Sequence, residues 1–198
     1  MVTAGERLTK AFFPLSGVVS LVVTLTNGDM IQVAMVGRDS VFGTSAALDG
    51  QISLTDLVVQ LPGTAATLDV NSLRTAAESS IALRAILNRH EQALFAEAQQ
   101  TAACNASHSV EARLARWLLR MHDLSRERIL PLTQEFLGQM MGIKRNSISL
   151  VAHEMQNAGI IKYSRGHIEI IDLSKLEDVS CECYLAVNRL HHRLLYEG

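Results

Sequence analysis

Hydrophobic and polar positions along the 198-residue chain fall into three successive patterns. From Phe12 to Asp69 the chain is rich in Val, Leu, Thr and Gly and poor in helix formers, which predicts short antiparallel strands. Leu15 to Thr26 reads as one strand and Met30 to Val36 as the next. Asn27-Gly28 between them tolerates positive φ at both centres of a type I′ turn, so a hairpin is expected there. Leu57 to Gln60 and Thr64 to Leu68 are expected to pair around Pro62-Gly63. From Ser80 to about Met121 there is no Gly and no Pro, which allows one long helix or two end to end, with Asp69 or Asn71 as a cap for the helical region. Leu83, Leu87 and Leu94 mark a seam along it, with His90 and Thr101 on or near the seam, and this face is expected to meet a second copy of the chain. Further on, Leu114, Trp117 and Leu118 point one way while Arg113, Arg116 and Arg120 lie largely on the other.

The third pattern starts at Leu132, where the segment LTQEFLGQMMGIKRNSISLVAHEM meets the demands of a helix-turn-helix position by position. Two short helices must cross steeply through a tight turn. Thr133 is a good N-cap. Leu137 and Met141 give the first helix its inner face, and Gly138 lets the second helix pass close by. Gly142 suits the positive φ of the turn, Ile143 plugs it, and Ile148, Val151 and Met155 bury the second helix. The opposite face of that helix carries Lys144, Arg145, Asn146, Ser147, Ser149 and His153, all short or basic and all able to hydrogen-bond. That is the composition of a recognition helix entering a major groove by its N-terminal end. Arg145 suits a bidentate contact to a guanine edge, and Asn146 one to adenine or a bond to phosphate. Thr133 and Gln134, at the start of the first helix, are placed for backbone phosphates. Gly159 fits a helix C-cap. Ile160 to Ser164 and His167 to Ile171 then read as a hairpin turning at Arg165-Gly166, a wing whose tip offers Lys162, Arg165 and His167 to phosphates. A last helix is expected from Ser174 to Leu195, with an apolar stripe through Leu176, Val179, Cys183, Val187, Leu190 and Leu194.

Charge alone does not announce a nucleic-acid partner: the net charge is −2. Its distribution moves slightly towards one, with 6 basic against 9 acidic residues up to Cys104 and 12 against 11 beyond it, so DNA binding must rest on local placement of cations. Three cysteines are too few and odd in number for a disulfide framework, which fits a reducing cytoplasm. No apolar run reaches membrane-spanning length, and no secretion signal opens the chain.

With these motifs in place the chain resembles the Crp-Fnr family of bacterial transcription regulators over almost its whole length. The resemblance is carried by FFPLSGVVSL, VAMVGRDSVFG, CNASHSVEARLARWLLRMHD, the helix-turn-helix itself and AGIIKYSRGHIEI. It implies an α+β fold: an antiparallel β-roll of cyclic-nucleotide-binding type over residues 1–79, a dimerisation helix over 80–108, and a winged helix-turn-helix over 109–198. The roll is expected to be N-terminally curtailed. The family further implies a homodimer on a palindromic double-stranded operator, with RNA polymerase as a further partner and recognition helices about 34 Å apart. Arg145 matches the family's guanine-reading arginine, and Thr133, Ser147, Arg165 and His167 match phosphate-holding positions. Ser149 matches a base-contacting serine of some members. Asn146 stands where many members carry a glutamate, and Leu150 where many carry a second arginine, which implies a different operator.

The resemblance also sets expectations for the sensor. Gly43 is followed by Thr44, not the ribose-binding glutamate, and Asp49 to Asp56 contains no arginine, so cyclic AMP is not expected. The first cysteine is Cys104, so no N-terminal iron-sulfur cluster is expected. No cofactor is assigned; haem or another effector of the roll is the alternative reading, in which sensing is the primary activity. Cys181-x-Cys183 with His191-His192 is not read as a metal site, because residues two apart on one helix point in different directions. Cys104 and Trp117 read as packed, and His90 as an interhelical polar group. No Ser-His-Asp arrangement, phosphate loop or paired carboxylates stand out, so no enzyme and no catalytic residue is expected.

Overall fold

The Val- and Thr-rich first third folds into strands in a computed structural model, which describes residues 2–197. Five antiparallel strands, β1 (Lys10–Pro14), β2 (Val18–Thr24), β3 (Met30–Val36), β4 (Asp56–Leu61) and β5 (Ala65–Asp69), form two sheets ordered β1-β5 and β3-β2-β4. The expected β2-β3 hairpin is present, but its turn is not type I′. Only Gly28 has a positive φ, 89°, while Asn27 does not. The Gly28 N–H donates to the Leu25 carbonyl at 2.9 Å and the Leu25 N–H to that of Asp29 at 2.8 Å. This is a longer turn closed by a left-handed glycine bulge, and it lets the Asn27 amide donate to the Asp29 carboxylate.

The expected pairing around Pro62-Gly63 does not form. β4 pairs with β2, and β5 with β1. At Gly63 the chain passes over Ser16-Gly17 so closely that a Cβ there would stand 2.2 Å from the Ser16 carbonyl oxygen. Pro62-Gly63 therefore carries the chain from one sheet to the other rather than turning it back. Gly17, with φ 80°, likewise splits the single strand expected over Leu15 to Thr26.

Helices follow. Asp69 caps α1 (Val70–Ser79), accepting from the N–H groups of Asn71 and Ser72. The glycine-free stretch is two helices end to end, α2 (Ile81–Ser107) and α3 (Val110–Ser125), each opened by a serine cap, Ser80 and Ser109. The Leu83, Leu87, Leu94 seam faces inward rather than towards a second chain. Leu87 is buried with Ala11, Ala47, Leu73 and Ala77, Leu83 packs against that cluster, and Leu94 packs against a second roll cluster around Leu21 and Phe42. His90 lies on the same inward face and accepts from the Val41 N–H at 3.0 Å through Nε2, with the Ser40 hydroxyl 2.7 Å from the same atom. Apolar side chains of α2 are exposed too, Ile86 by 50% and Phe95 by 65%, and Phe95 lies on the side opposite the buried face.

The C-terminal half comprises β6 (Ile129–Leu130), α4 (Gln134–Met141), α5 (Arg145–Asn157), β7 (Ile161–Ser164), β8 (His167–Ile170), α6 (Leu173–Asp178) and α7 (Cys183–Tyr196). The single final helix expected from Ser174 is thus two, broken at Val179–Glu182, with α6 against α3 and α7 against α2. β6 joins the wing as a third strand, in the order β6-β8-β7. One core serves both halves: Val18, Met35 and Leu61 of the roll pack with Leu114, Trp117, Leu118, Leu137 and Ile148. The Trp117 indole N–H donates to Gln32 Oε1 at 2.8 Å, and the Ser20 hydroxyl donates to the same oxygen at 2.9 Å. Arg120 is not on a solvent face. It is buried and pairs with Asp39 at 2.8 Å and Glu97 at 3.9 Å. Among the described residues, no helix is long and apolar enough to cross a membrane.

Burial, with a smaller contribution from nearby His191, draws the His90 pKa down to about 4 from its ordinary 6.5. The unfolded chain takes up a proton below pH 6.5 that folded His90 refuses until about pH 4. Its stabilising contribution is therefore full above pH 6.5 and declines as pH falls towards 4, by about 3 kcal/mol across the window. Urea denaturation of the wild type and His90→Gln between neutral pH and the folded pKa checks this: the wild type should lose stability relative to the variant as pH falls.

Candidate nucleic-acid interface

The helix-turn-helix forms where the spacing places it. The Thr133 hydroxyl accepts from the Phe136 N–H at 3.1 Å and starts α4. Leu137 and Met141 turn into the core, with Ile148, Val151 and Met155 of α5 beside them. Gly138 permits the close crossing: a Cβ there would stand 2.7 Å from the Ile143 carbonyl oxygen. Gly142 ends α4 with φ 64°, in the left-handed region that favours glycine. Arg113 of α3, expected on a solvent face, donates to the Met141 carbonyl at 2.6 Å and so satisfies the C-terminal end of α4. Spacing gave no sign of this contact, because the need for a donor arises only when α3 and α4 cross.

Lys144, Arg145, Asn146 and His153 are exposed, and Ser147 and Ser149 are half-buried. Lys144 occupies the N-cap position of α5 and no side chain caps that end, so first-turn N–H groups and two cations share the leading end of the helix. Such an end favours anions through the helix dipole and its free donors. Ser149 is partly committed inside the protein: its hydroxyl donates to Gln134 Oε1 at 2.5 Å and lies 3.0 Å from the Arg145 carbonyl. Two residues expected to contact DNA separately, Gln134 and Ser149, thus brace the two helices against each other. Leu150 is 61% exposed on α5, an apolar group on an otherwise polar surface. Exposed methyl-bearing side chains at a groove suit thymine methyl groups.

The wing completes the surface. Arg165 at φ 32° and Gly166 at φ 85° make the tight turn between β7 and β8. Lys162, Arg165 and His167 are exposed on it. A Cβ on Gly166 would lie 3.6 Å from Thr133 Cγ2, so the wing tip sits beside the start of α4. The fold therefore brings Thr133 together with Arg165 and His167, which are far from it along the chain. Gln156 holds the wing to α5 by accepting from the Tyr163 N–H at 2.8 Å. The result is an exposed helix led by cations and flanked by a basic hairpin tip, the arrangement that a helix entering a major groove beside phosphates requires.

Residues 112–179 match the Crp-like helix-turn-helix domain. No curated protein matches the chain in sequence. Solved structures share its fold. A CRP-family transcriptional regulator of Thermus thermophilus, TTHB099, superposes with a TM-score of 0.73 at 20% identity, covering 91% of this chain and 92% of that one. FixK2 of Bradyrhizobium japonicum gives 0.78 at 16% identity, with the same coverage of both chains. The c-di-GMP responsive global regulator CLP of Xanthomonas campestris gives 0.63 at 15% identity, over 86% of this chain and 88% of that one.

Replacing Gly138 tests the crossing of α4 and α5. Gly138→Val forces Ile143 and Arg145 away from α4 and should destabilise the C-terminal half by about 1–3 kcal/mol. Chemical denaturation followed by the fluorescence of Trp117 reads it directly.

Proposed function

We propose, from the premise that this chain is a Crp-Fnr transcription regulator with a Crp-like helix-turn-helix domain at residues 112–179, that it acts as a homodimer on a palindromic operator. The observation that carries the reading is the exposed face of α5, with Lys144 and Arg145 at its leading end and the wing tip alongside. Arg145 reads a guanine edge, and Asn146 and Ser149 read neighbouring bases. Thr133, Gln134, Lys144, Ser147, Arg165 and His167 hold phosphates. Dimerisation is assigned to the outer face of α2, where Phe95 is exposed beside Ala102 and Ala106. In such a dimer the two recognition helices are expected to address half-sites one turn of DNA apart, about 34 Å. Bound at such an operator, the dimer acts on RNA polymerase in the cytoplasm.

A second reading adds an effector. The roll contains a cavity of about 380 Å³ lined by Phe12, Phe42, Val36, Leu57 and Leu61, with no charged side chain in its wall. A regulator of the same fold is described as c-di-GMP responsive. This wall has no cation for a phosphodiester, which supports an uncharged, apolar effector over a cyclic nucleotide.

In vitro selection from a random DNA pool should return a palindrome, and fluorescence anisotropy should show salt-sensitive binding to it. Arg145→Ala should weaken that binding by about 1–3 kcal/mol and relax preference at one position per half-site. Equal affinity of the wild type for selected and random duplexes would sink the reading. For the dimer, Phe95→Glu should shift sedimentation from two chains to one and weaken operator binding.

A further inference from the structure

All three cysteines, distant in sequence, meet at one place. Cys104 lies in the last turn of α2, Cys181 in the turn between α6 and α7, and Cys183 is the first residue of α7. Their side chains are buried together, at 0%, 6% and 0% exposure. His108, the C-cap of α2, turns its Nδ1 into the same cluster. Cys104 Sγ stands 3.5 Å from Cys181 Sγ, and Cys183 Sγ 3.5 Å from His108 Nδ1. All four donor atoms lie within 4.8 Å of one another. Two sulfurs each about 2.3 Å from a tetrahedral ion are about 3.8 Å apart, so the cluster needs only small adjustments to enclose one.

We propose that Cys104, His108, Cys181 and Cys183 bind a single tetrahedral transition-metal ion of the zinc class. The donor set, three thiols and one imidazole, is that of closed structural zinc sites. The surroundings supply the outer shell such sites use. Glu182 Oε1 lies 3.2 Å from His108 Nε2, which fixes the imidazole with Nδ1 towards the sulfurs. The Gln100 amide donates to Cys183 Sγ at 3.0 Å.

The expectation that Cys181-x-Cys183 carries no metal was built on a continuous helix and on His191-His192 as partners. The break at Val179–Glu182 removes the first assumption, since the two thiols leave a turn and converge. Different partners replace the second: His191 approaches Glu97 at 3.5 Å and His192 approaches Glu197 at 3.1 Å. The ion would close a long loop of chain between α2 and α7, at the joint where α2 gives way to α3. It thereby fixes the end of α2 to the C-terminal half, a consequence that holds whether or not the chain binds DNA.

The test uses the full chain, purified under reductant. Elemental analysis should find one zinc per chain. Cobalt(II) should replace it, with thiolate charge-transfer absorption and the intense visible bands of a tetrahedral site. Glu182→Ala should lower cobalt affinity about 10–100-fold while leaving the band positions in place. The double variant Cys104→Ser, Cys181→Ser should lose both signals, with circular dichroism reporting its fold. A reduced wild-type chain that takes up neither zinc nor cobalt overturns the proposal, independently of how any variant folds. So does metal held with unchanged affinity by the folded double variant. A Cys104–Cys181 disulfide in protein prepared without reductant, with no metal uptake after its reduction, assigns the cluster to redox chemistry and overturns it as well.

Discussion

One buried carboxylate holds the two halves of this protein in register. Glu97 of α2 is 3% exposed. Its Oε1 accepts from the Met35 N–H of β3 at 3.0 Å, while Oε2 faces His191 of α7 at 3.5 Å and Arg120 of α3 at 3.9 Å. Taking a carboxylate and a guanidinium out of water costs several kcal/mol each, and only good geometry offsets it. Arg120 gains a second partner in Asp39, which follows β3. Those partners come together only when the roll, α3 and α7 are all seated on α2. The network is thus a condition on the whole arrangement and specifies it more than it stabilises it.

The packing around that point shows what the condition achieves. Val18, Met35 and Leu61 of the roll share a core with Leu114 and Trp117, and Gln60 reaches Met140 of α4. Gly142, the turn of the helix-turn-helix, lies against Ile31 of β3. The inner surface of the C-terminal half is therefore committed to the roll, while its polar surface, α5 and the wing tip, is left to solvent. These contacts join β3 and β4 of the roll directly to α4 and its turn. The cysteine-histidine cluster sits at the other end of the same joint, where α2 stops.

Much of the interface was legible in the chain, for reasons that are local. Thr133 caps, Gly138 admits a crossing helix, Gly142 adopts a left-handed φ, and Arg165-Gly166 makes a tight turn, each through its own conformational preference or size. The polar face of α5 follows from helical periodicity once the apolar positions are known. What local reasoning missed were relations between elements. Arg113 and Arg120 look alike on a helical wheel, yet one ends α4 and the other is buried against two carboxylates. The leucine seam of α2 was sound as periodicity, but periodicity does not say whether its partner is another chain or the chain's own roll.

Local pattern was enough to define the kind of protein this is: short strands, a long helical connection and a winged helix-turn-helix with a basic leading end. Hydrophobic period, caps and turn residues act within a few positions and are written into the chain directly. Long-range packing decided which strands pair, which face of α2 turns inward, and that Cys104, His108, Cys181 and Cys183 converge. Those outcomes depend on backbones crossing at Gly63 and on a helix broken at Val179–Glu182, where contacts between distant segments override local pattern. The helix-turn-helix was visible because its rules are local. The roll topology and the cysteine cluster were not, because theirs are contacts across the fold.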